Sequence, residues 1–282
     1  MKAFELGRMK RCGDLNNEAQ STNNKNFFEG KLAAFRYSRA RPYFHPHVIK
    51  RISRFIERSQ QLPCALDVGC GTGQSTIALL AIAERAIGID SAPQMLAYAP
   101  PVSNVLWLQA RAEALPIADS SIDVITVSLA YHWFHSSTFL SEAHRVLRNS
   151  GWLVIYSNVF DGKALNCPSY TEWHKQVYEK RFPLPPRSPY LVNLITAEEC
   201  GFINMGTEYY VNTVNFKLER FTEYLMSRTN VIGAVKRGET THDRAFAEIT
   251  SELKYFFKDR SLTFEFHGDI QYLRRKEDGP AT

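Results

Sequence analysis

The sequence predicts an α/β fold, a doubly wound and mostly parallel open sheet carrying helical cap insertions, on three observations. Short apolar runs alternate with amphipathic runs from about residue 46 to 158. The first of these apolar runs ends in a glycine-rich turn, "ALDVGCGTGQST" at residues 65–76. After Asn158 the regular alternation stops in a stretch rich in proline and aromatic residues. Strands that trade places with helices pair in parallel, because only a helical crossover returns the chain to the same edge of the sheet.

In chain order, a helix over about 46–58 places Val48, Ile49, Ile52, Phe55 and Ile56 opposite Lys50, Arg51, Arg54 and Arg58, which reads as a solvated helix face. "CALDVG" is the first strand and "STIALLAIAERA" the helical run after it. "AIGID", "VLWLQA", "SIDVITVSLA" and "GWLVIYSN" are further strands. "APQMLAYA" is a short helix, and in "STFLSEAHRVLR" Phe139, Leu140, Ala143, Val146 and Leu147 share one helical face. Beyond 158 the pattern predicts a helix over about 168–181, an irregular proline-rich crossover and a short helix "TAEECGF". A strand over 204–216, two helices over 218–258 and a last strand over 261–276 complete a sheet of seven strands. The expected organisation is a mobile segment at 1–26, an N-terminal cap at 27–60, a ligand-binding core at 61–158 and two closing strands at 204–216 and 261–276. A substrate cap, at 159–203 and 217–260, completes it.

At 282 residues with 44% hydrophobic and 22% charged content, the chain matches an ordinary globular composition. Its net charge of +5 is dispersed among acids, which argues against nucleic acid as a partner. Cys12, Cys64, Cys70, Cys167 and Cys200 form no CxxC pair, so neither a disulfide framework nor a zinc site is indicated, and a reducing cytoplasm is expected. No apolar run is long enough for a bilayer-spanning helix, so no membrane association is expected. His45 and His47, and His132 and His135, form close pairs without a carboxylate or thiol at ligand spacing, so no metal is expected. The sequence leaves the oligomeric state open.

The glycine loop limits the ligand. A dinucleotide fingerprint places its third glycine three residues after the second, and a phosphate-binding P-loop ends in lysine. Gly69, Gly71 and Gly73 are spaced two and two, and Gln74 follows. A ligand with a ribose and an amino-acid tail suits such a loop better than a pyrophosphate. Asp90, at the end of "AIGID", is placed to accept hydrogen bonds from ribose hydroxyls.

"LDVGCGTGQST" and "AIGIDSAPQML" resemble the first two motifs of the class I S-adenosylmethionine-dependent methyltransferases, a Rossmann-like family. "ARAEALPIADSSIDVITVSLAYHWF" resembles the third and fourth, and "EAHRVLRNSGWLVI" the helix, turn and strand after them. "HWF" at 132–134 and "YSRARPYFHP" near residue 40 are similar to the trans-aconitate and ubiquinone-biosynthesis-like small-molecule branch.

The resemblance implies S-adenosyl-L-methionine as cofactor. It implies that Gly69, Cys70, Gly71 and Gly73 bound its methionine and ribose, that Asp90 and Ser91 serve the ribose, and that Ala92 and Met95 wall the adenine. Ala112 and Glu113 are expected beside adenine, where Arg111 replaces the acceptor Asp of many relatives. Tyr37 and Arg41 are expected near the cofactor carboxylate, and Ser128 and Tyr131 near the sulfonium. Asp67 either contacts the cofactor or braces the loop, and Asp90 either holds the ribose or caps the helix after it.

The expected catalytic residues are His132, Tyr131 and Trp133, with His132 either a base or a packed core imidazole. Trp133, Trp173 and Tyr170 are the expected acceptor contacts. The acceptor is expected to be small, organic and apolar or aromatic, such as a secondary metabolite, methylated on oxygen, nitrogen or carbon. A silent cofactor-binding module and a nicotinamide-dependent oxidoreductase are the alternatives.

Overall fold

The computed structural model describes residues 31–57, 60–186 and 188–277. The expected mobile segment at 1–26, with Cys12, lies outside them, as does Arg58. Five parallel strands form the body of the sheet: β1 (Ala65–Val68), β2 (Ala86–Asp90), β3 (Val105–Gln109), β4 (Ile122–Ser128) and β5 (Leu147–Tyr156). Their spatial order is 3-2-1-4-5, so the direction of winding reverses between β1 and β4. Ligands of open α/β sheets bind at the carboxyl ends of the strands beside such a reversal.

Helices cover both faces. On one, α1 (Lys31–Ala40) is followed by α2 (His45–Phe55), whose Val48, Ile49 and Ile52 are buried together with Ala78 and Leu79 of α3 (Gln74–Leu79). Burying such aliphatic side chains contributes about 1.5–3 kcal/mol each. The charged side of α2 faces solvent, as its spacing predicts, with Arg51 3.3 Å from Glu208. Because α2 packs on the sheet, it belongs to the core layer and not to the N-terminal cap expected over 27–60. After the short α4 (Pro93–Leu96), the opposite face is covered by α5 (Ser136–Val146). Its Phe139, Leu140, Ala143 and Val146 are buried against β4 and β5.

The rest of the chain departs from the expected seven strands. β6 (Val159–Ala164) is separated from β5 by two residues, and the sheet has eight strands among the described residues. α6 (Pro168–Trp173), a π-helical turn at His174–Tyr178 and α7 (Glu179–Arg181) form the helix expected over 168–181. α8 (Leu194–Glu199), capped by the Asn193 side chain, leads into β7 (Phe202–Phe216). Three helices follow where two were expected, α9 (Leu218–Met226), α10 (Thr229–Lys236) and α11 (His242–Phe257), and then β8 (Leu262–Arg275).

β8 is longer than the body of the sheet, and this builds the second lobe. It pairs antiparallel with β7 along its whole length, with β5 through 270–274 and with β6 through 264–267. Its inner half buries Ile270, Gln271, Tyr272 and Leu273 on both faces, while its outer half alternates, burying Leu262, Phe264 and Phe266 and leaving the residues between them less buried. Strands covered on two faces read as continuous apolar runs, and strands covered on one face alternate. The outer half, with α6, α9 and α11, encloses an aromatic core of Phe160, Tyr170, Tyr178, Phe221, Tyr224 and Phe264. Phe221 and Phe264 stack with ring centroids 3.9 Å apart. Among the described residues, no helix is long and apolar enough to cross a membrane.

Candidate active site

The loop between β1 and α3 is held open for a ligand by its glycines. Gly69 and Gly73 have φ of +74° and +86°, in the left-handed region that glycine adopts without a side-chain penalty. A Cβ on Gly69 would lie 2.5 Å from the Ala130 Cβ, and one on Gly73 would lie 2.4 Å from the Trp107 ring. Gly69→Ala is therefore expected to destabilise the protein by about 2–4 kcal/mol, the sum of left-handed backbone cost and overpacking. Urea unfolding of both proteins checks this, and an unchanged midpoint would refute it.

Asp90 ties the loop to the next strand. Its Oδ2 accepts from the Gly71 N–H at 2.8 Å and its Oδ1 from the Ala92 N–H at 2.8 Å. With the Ser91 N–H also acting on it, the carboxylate still keeps acceptor capacity, because it has about four sites in all. Burial raises its pKa, against the backbone donors that lower it. Asp90 thus fastens the turn into α4 and retains acceptor capacity.

Asp67 braces the loop. It is completely buried and accepts from Ser75 Oγ at 2.6 Å, Thr76 Oγ1 at 2.7 Å and Thr126 Oγ1 at 3.1 Å. Burial pushes its carboxyl up to about 6, against these hydroxyl donors. Like Asp90, it lines neither cavity described below.

Two adjoining cavities open at the carboxyl ends of β1 and β4. The first has the loop as its floor, with Gly69, Cys70, Gly71, Thr72 and Ser128 around it. The second is bordered by His132, Trp133, Phe160, Tyr190, Arg228 and Thr229. Tyr37, Arg41, Leu129, Asn158 and Tyr224 border both. Leu129 has φ of +52°, an uncommon backbone conformation for a bulky residue, at the junction of the two cavities. Asn158 reaches the junction because the chain breaks between β5 and β6.

His45, at the start of α2, borders the first cavity, its Nδ1 3.0 Å from the Tyr156 hydroxyl. Burial pushes its imidazole down to about 3, so it is neutral in the folded protein at pH 7. The stability this gives is present above the unfolded value near 6.5 and is lost as the pH falls toward 3, at about 1.4 kcal/mol per unit. In denaturant titrations between pH 6.5 and 4, His45→Gln is expected to lack this part of the slope. Parallel slopes in the two proteins would refute the assignment.

Other expected residues lie elsewhere. Tyr131 is corrected to a core residue: it is buried, packs its ring against Phe134 and Phe139, and hydrogen-bonds the Ser136 hydroxyl. Tyr170 and Trp173 are corrected to cap-core residues. Tyr170 is fully buried, and Trp173 donates from Nε1 to Glu252 at 2.8 Å. Glu113 accepts from the His135 N–H at 2.9 Å and from Arg111 Nε at 3.3 Å, so both its oxygens are engaged away from the cavities. Ala112 is buried in the core, Ser91 is exposed, and Ala92 and Met95 pack with Ala34 and Tyr37. His132 borders the second cavity, its ring centroid 4.5 Å from that of Trp133 and 4.8 Å from that of Tyr190.

Sequence reasoning missed Leu129, Asn158, Tyr224, Arg228 and Thr229. The run "FTEYLMSRTN" carries Tyr224 and Arg228, but no local pattern shows that α9 returns over the sheet. Among the described residues, no three His, Cys, Asp or Glu side chains are grouped as a metal site.

The fold is similar to that of solved methyltransferase structures, and the glycine loop lies within the part of the chain that a methyltransferase family model matches. Residues 66–155 match the family described as "Methyltransferase domain". A Dictyostelium discoideum protein named as a methyltransferase is 31% identical over 121 residues, 43% of this chain and 45% of that one. The chain spans about half the length of the curated relatives it matches. A solved structure from Anaeromyxobacter dehalogenans, described as a type II methyltransferase, aligns with a TM-score of 0.66 at 20% identity, covering 84% of this chain and 99% of that one. The [4+2]-cyclase SpnF aligns with a TM-score of 0.51 at 18% identity over 83% of this chain and 82% of its own. The scaffold therefore serves more than one chemistry, and function has to be argued from the site.

Proposed function

We propose that the protein transfers the methyl group of S-adenosyl-L-methionine to a small organic acceptor. The observation that carries this reading is the pair of joined cavities, one floored by the glycine loop and the other walled by aromatic rings. The cofactor fits the residues present. The loop has no room for side chains at Gly69 and Gly73, its rim has no lysine for a pyrophosphate, and Asp90 retains acceptor capacity for ribose hydroxyls. Gly69, Gly71, Asp90 and Tyr37 would hold it, with Arg41 at its carboxylate.

The cofactor supplies a methyl group already activated on a sulfonium. The protein then has to align the acceptor behind that carbon and exclude water, an effect that contributes about 7–11 kcal/mol in well-oriented systems. Trp133, Tyr190 and Tyr224 would position the acceptor. His132 would receive the proton it gives up as the new bond to carbon forms and the electron pair of the old bond stays on sulfur.

Calorimetric titration with S-adenosylhomocysteine and with NAD, followed by product analysis, tests this reading. Binding of the first and not the second is expected, and the reverse order would overturn it. The concave, aromatic-walled second cavity also suits a small molecule better than a polymer, since concave sites with a few polar groups are the usual form of small-molecule pockets.

A further inference from the structure

We propose that Arg228 anchors an anionic group, a carboxylate or a phosphate ester, on the acceptor. This rests on the methyltransferase reading and deepens it, because it names the class of molecule that the second cavity takes.

Arg228 precedes α10 and extends along the wall of the second cavity. Its Nη2 donates to the Phe160 carbonyl at 3.4 Å, a long bond, and its Cζ lies 5.3 Å from the centre of the Phe160 ring. Its Nη1 is buried and has no hydrogen-bond partner. No ion pair of Arg228 or Arg41 occurs among the described residues. The carboxylate that acts on Arg228, Glu179, lies beyond ion-pair distance and is exposed. Neither cavity has an Asp or Glu in its lining.

A guanidinium cannot shed its charge by losing a proton inside a protein. Burying it without a counter-charge is costly, so such a group is ordinarily paired. Two guanidinium groups meet here. Arg41 donates from Nη2 to the Ser227 carbonyl at 3.0 Å and stacks over Tyr37 and Tyr224, with Cζ 4.8 and 5.6 Å from the ring centres. Arg41 borders both cavities, so the amino-acid carboxylate of the cofactor can answer its charge. Arg228 borders only the second, which leaves its charge to the acceptor.

The planar fork of a guanidinium matches two oxygens of a carboxylate or phosphate. The aromatic rings around it suit an apolar body, so the acceptor is an apolar molecule with an anionic head.

The test uses the full chain saturated with S-adenosylhomocysteine and titrated calorimetrically with 3-phenylpropionate, phenyl phosphate and the neutral 3-phenylpropanamide. At least one anion is expected to bind about tenfold to a hundredfold more tightly than the amide, and the better of the two identifies the head group. Arg228→Gln is expected to remove that preference while leaving S-adenosylhomocysteine affinity unchanged. Arg228→Lys, which keeps the charge and loses the fork, is expected to fall between, and it carries the test if the Gln variant does not fold. Equal affinity for anions and amide in the wild type would overturn the proposal, as would a preference that survives in Arg228→Gln. Failure of both anions to bind would do the same. If the wild type binds S-adenosylhomocysteine but prefers no anion, only the role of Arg228 falls. If it does not bind S-adenosylhomocysteine at all, the methyltransferase reading falls with it.

Discussion

His132→Ala is expected to lower the rate of methyl transfer by about a hundredfold to ten-thousandfold while S-adenosylmethionine binds nearly as before. The residue borders the second cavity beside Trp133 and Tyr190, and imidazole is the side chain best suited to proton transfer near neutrality. An acceptor hydroxyl or amine must lose a proton as the carbon bond forms, and a positioned base speeds that loss. The measurement is single-turnover rate against pH in both proteins. A limb present in the wild type and missing from the variant is the expected result. Flat profiles in both would remove His132 as a base and would point to an acceptor whose nucleophile arrives already ionised. In that case the substitution acts through packing against Trp133 and raises KM more than it lowers kcat.

Asp90→Ala is expected to weaken S-adenosylhomocysteine binding by about tenfold to a thousandfold. The effect has two sources. The ribose loses acceptors on an ionised group, and the Gly71 and Ala92 N–H groups lose the partner that fixes the loop. Asp90→Asn separates them, because a carboxamide oxygen can retain one backbone bond while the charge is gone. Calorimetry is expected to rank wild type, Asn and Ala in that order of affinity, with thermal unfolding changed most for Ala. Undiminished affinity in both variants would remove Asp90 from the cofactor site.

The parallel body of the fold was legible because its signals are local. Val48, Ile49 and Ile52 fall on one side of α2, and Phe139, Leu140, Ala143 and Val146 on one side of α5, as a period of 3.6 residues requires. The loop was legible for a similar reason, since glycines at alternate positions after an apolar strand mark a backbone that a ligand must approach closely. Short separation in sequence carried both. Which of the aromatic residues after 158 face a pocket was not legible, because composition alone does not tell a cap core from a pocket wall. Tyr170 and Trp173 pack within the cap, while Phe160 and Tyr224 of the same core, with Tyr190, also border the cavity.

The sequence by itself determined the doubly wound strands β1 to β5, the glycine turn, and Asp90 as the acid at the end of β2. Each depends on residues a few positions apart, where backbone geometry fixes which side chains share a face. Only the tertiary structure decided that Asp67 lies beneath the loop on three hydroxyls, that Tyr131 turns into the core, and that Arg41 and Arg228 meet at one pocket. Those outcomes depend on β8 running past the sheet to carry the cap, and on α9 returning over the ends of β1 and β4. Contacts between residues nearly two hundred positions apart, such as Arg41 with the Ser227 carbonyl, leave no periodic trace in the chain, because they are set by how whole elements dock.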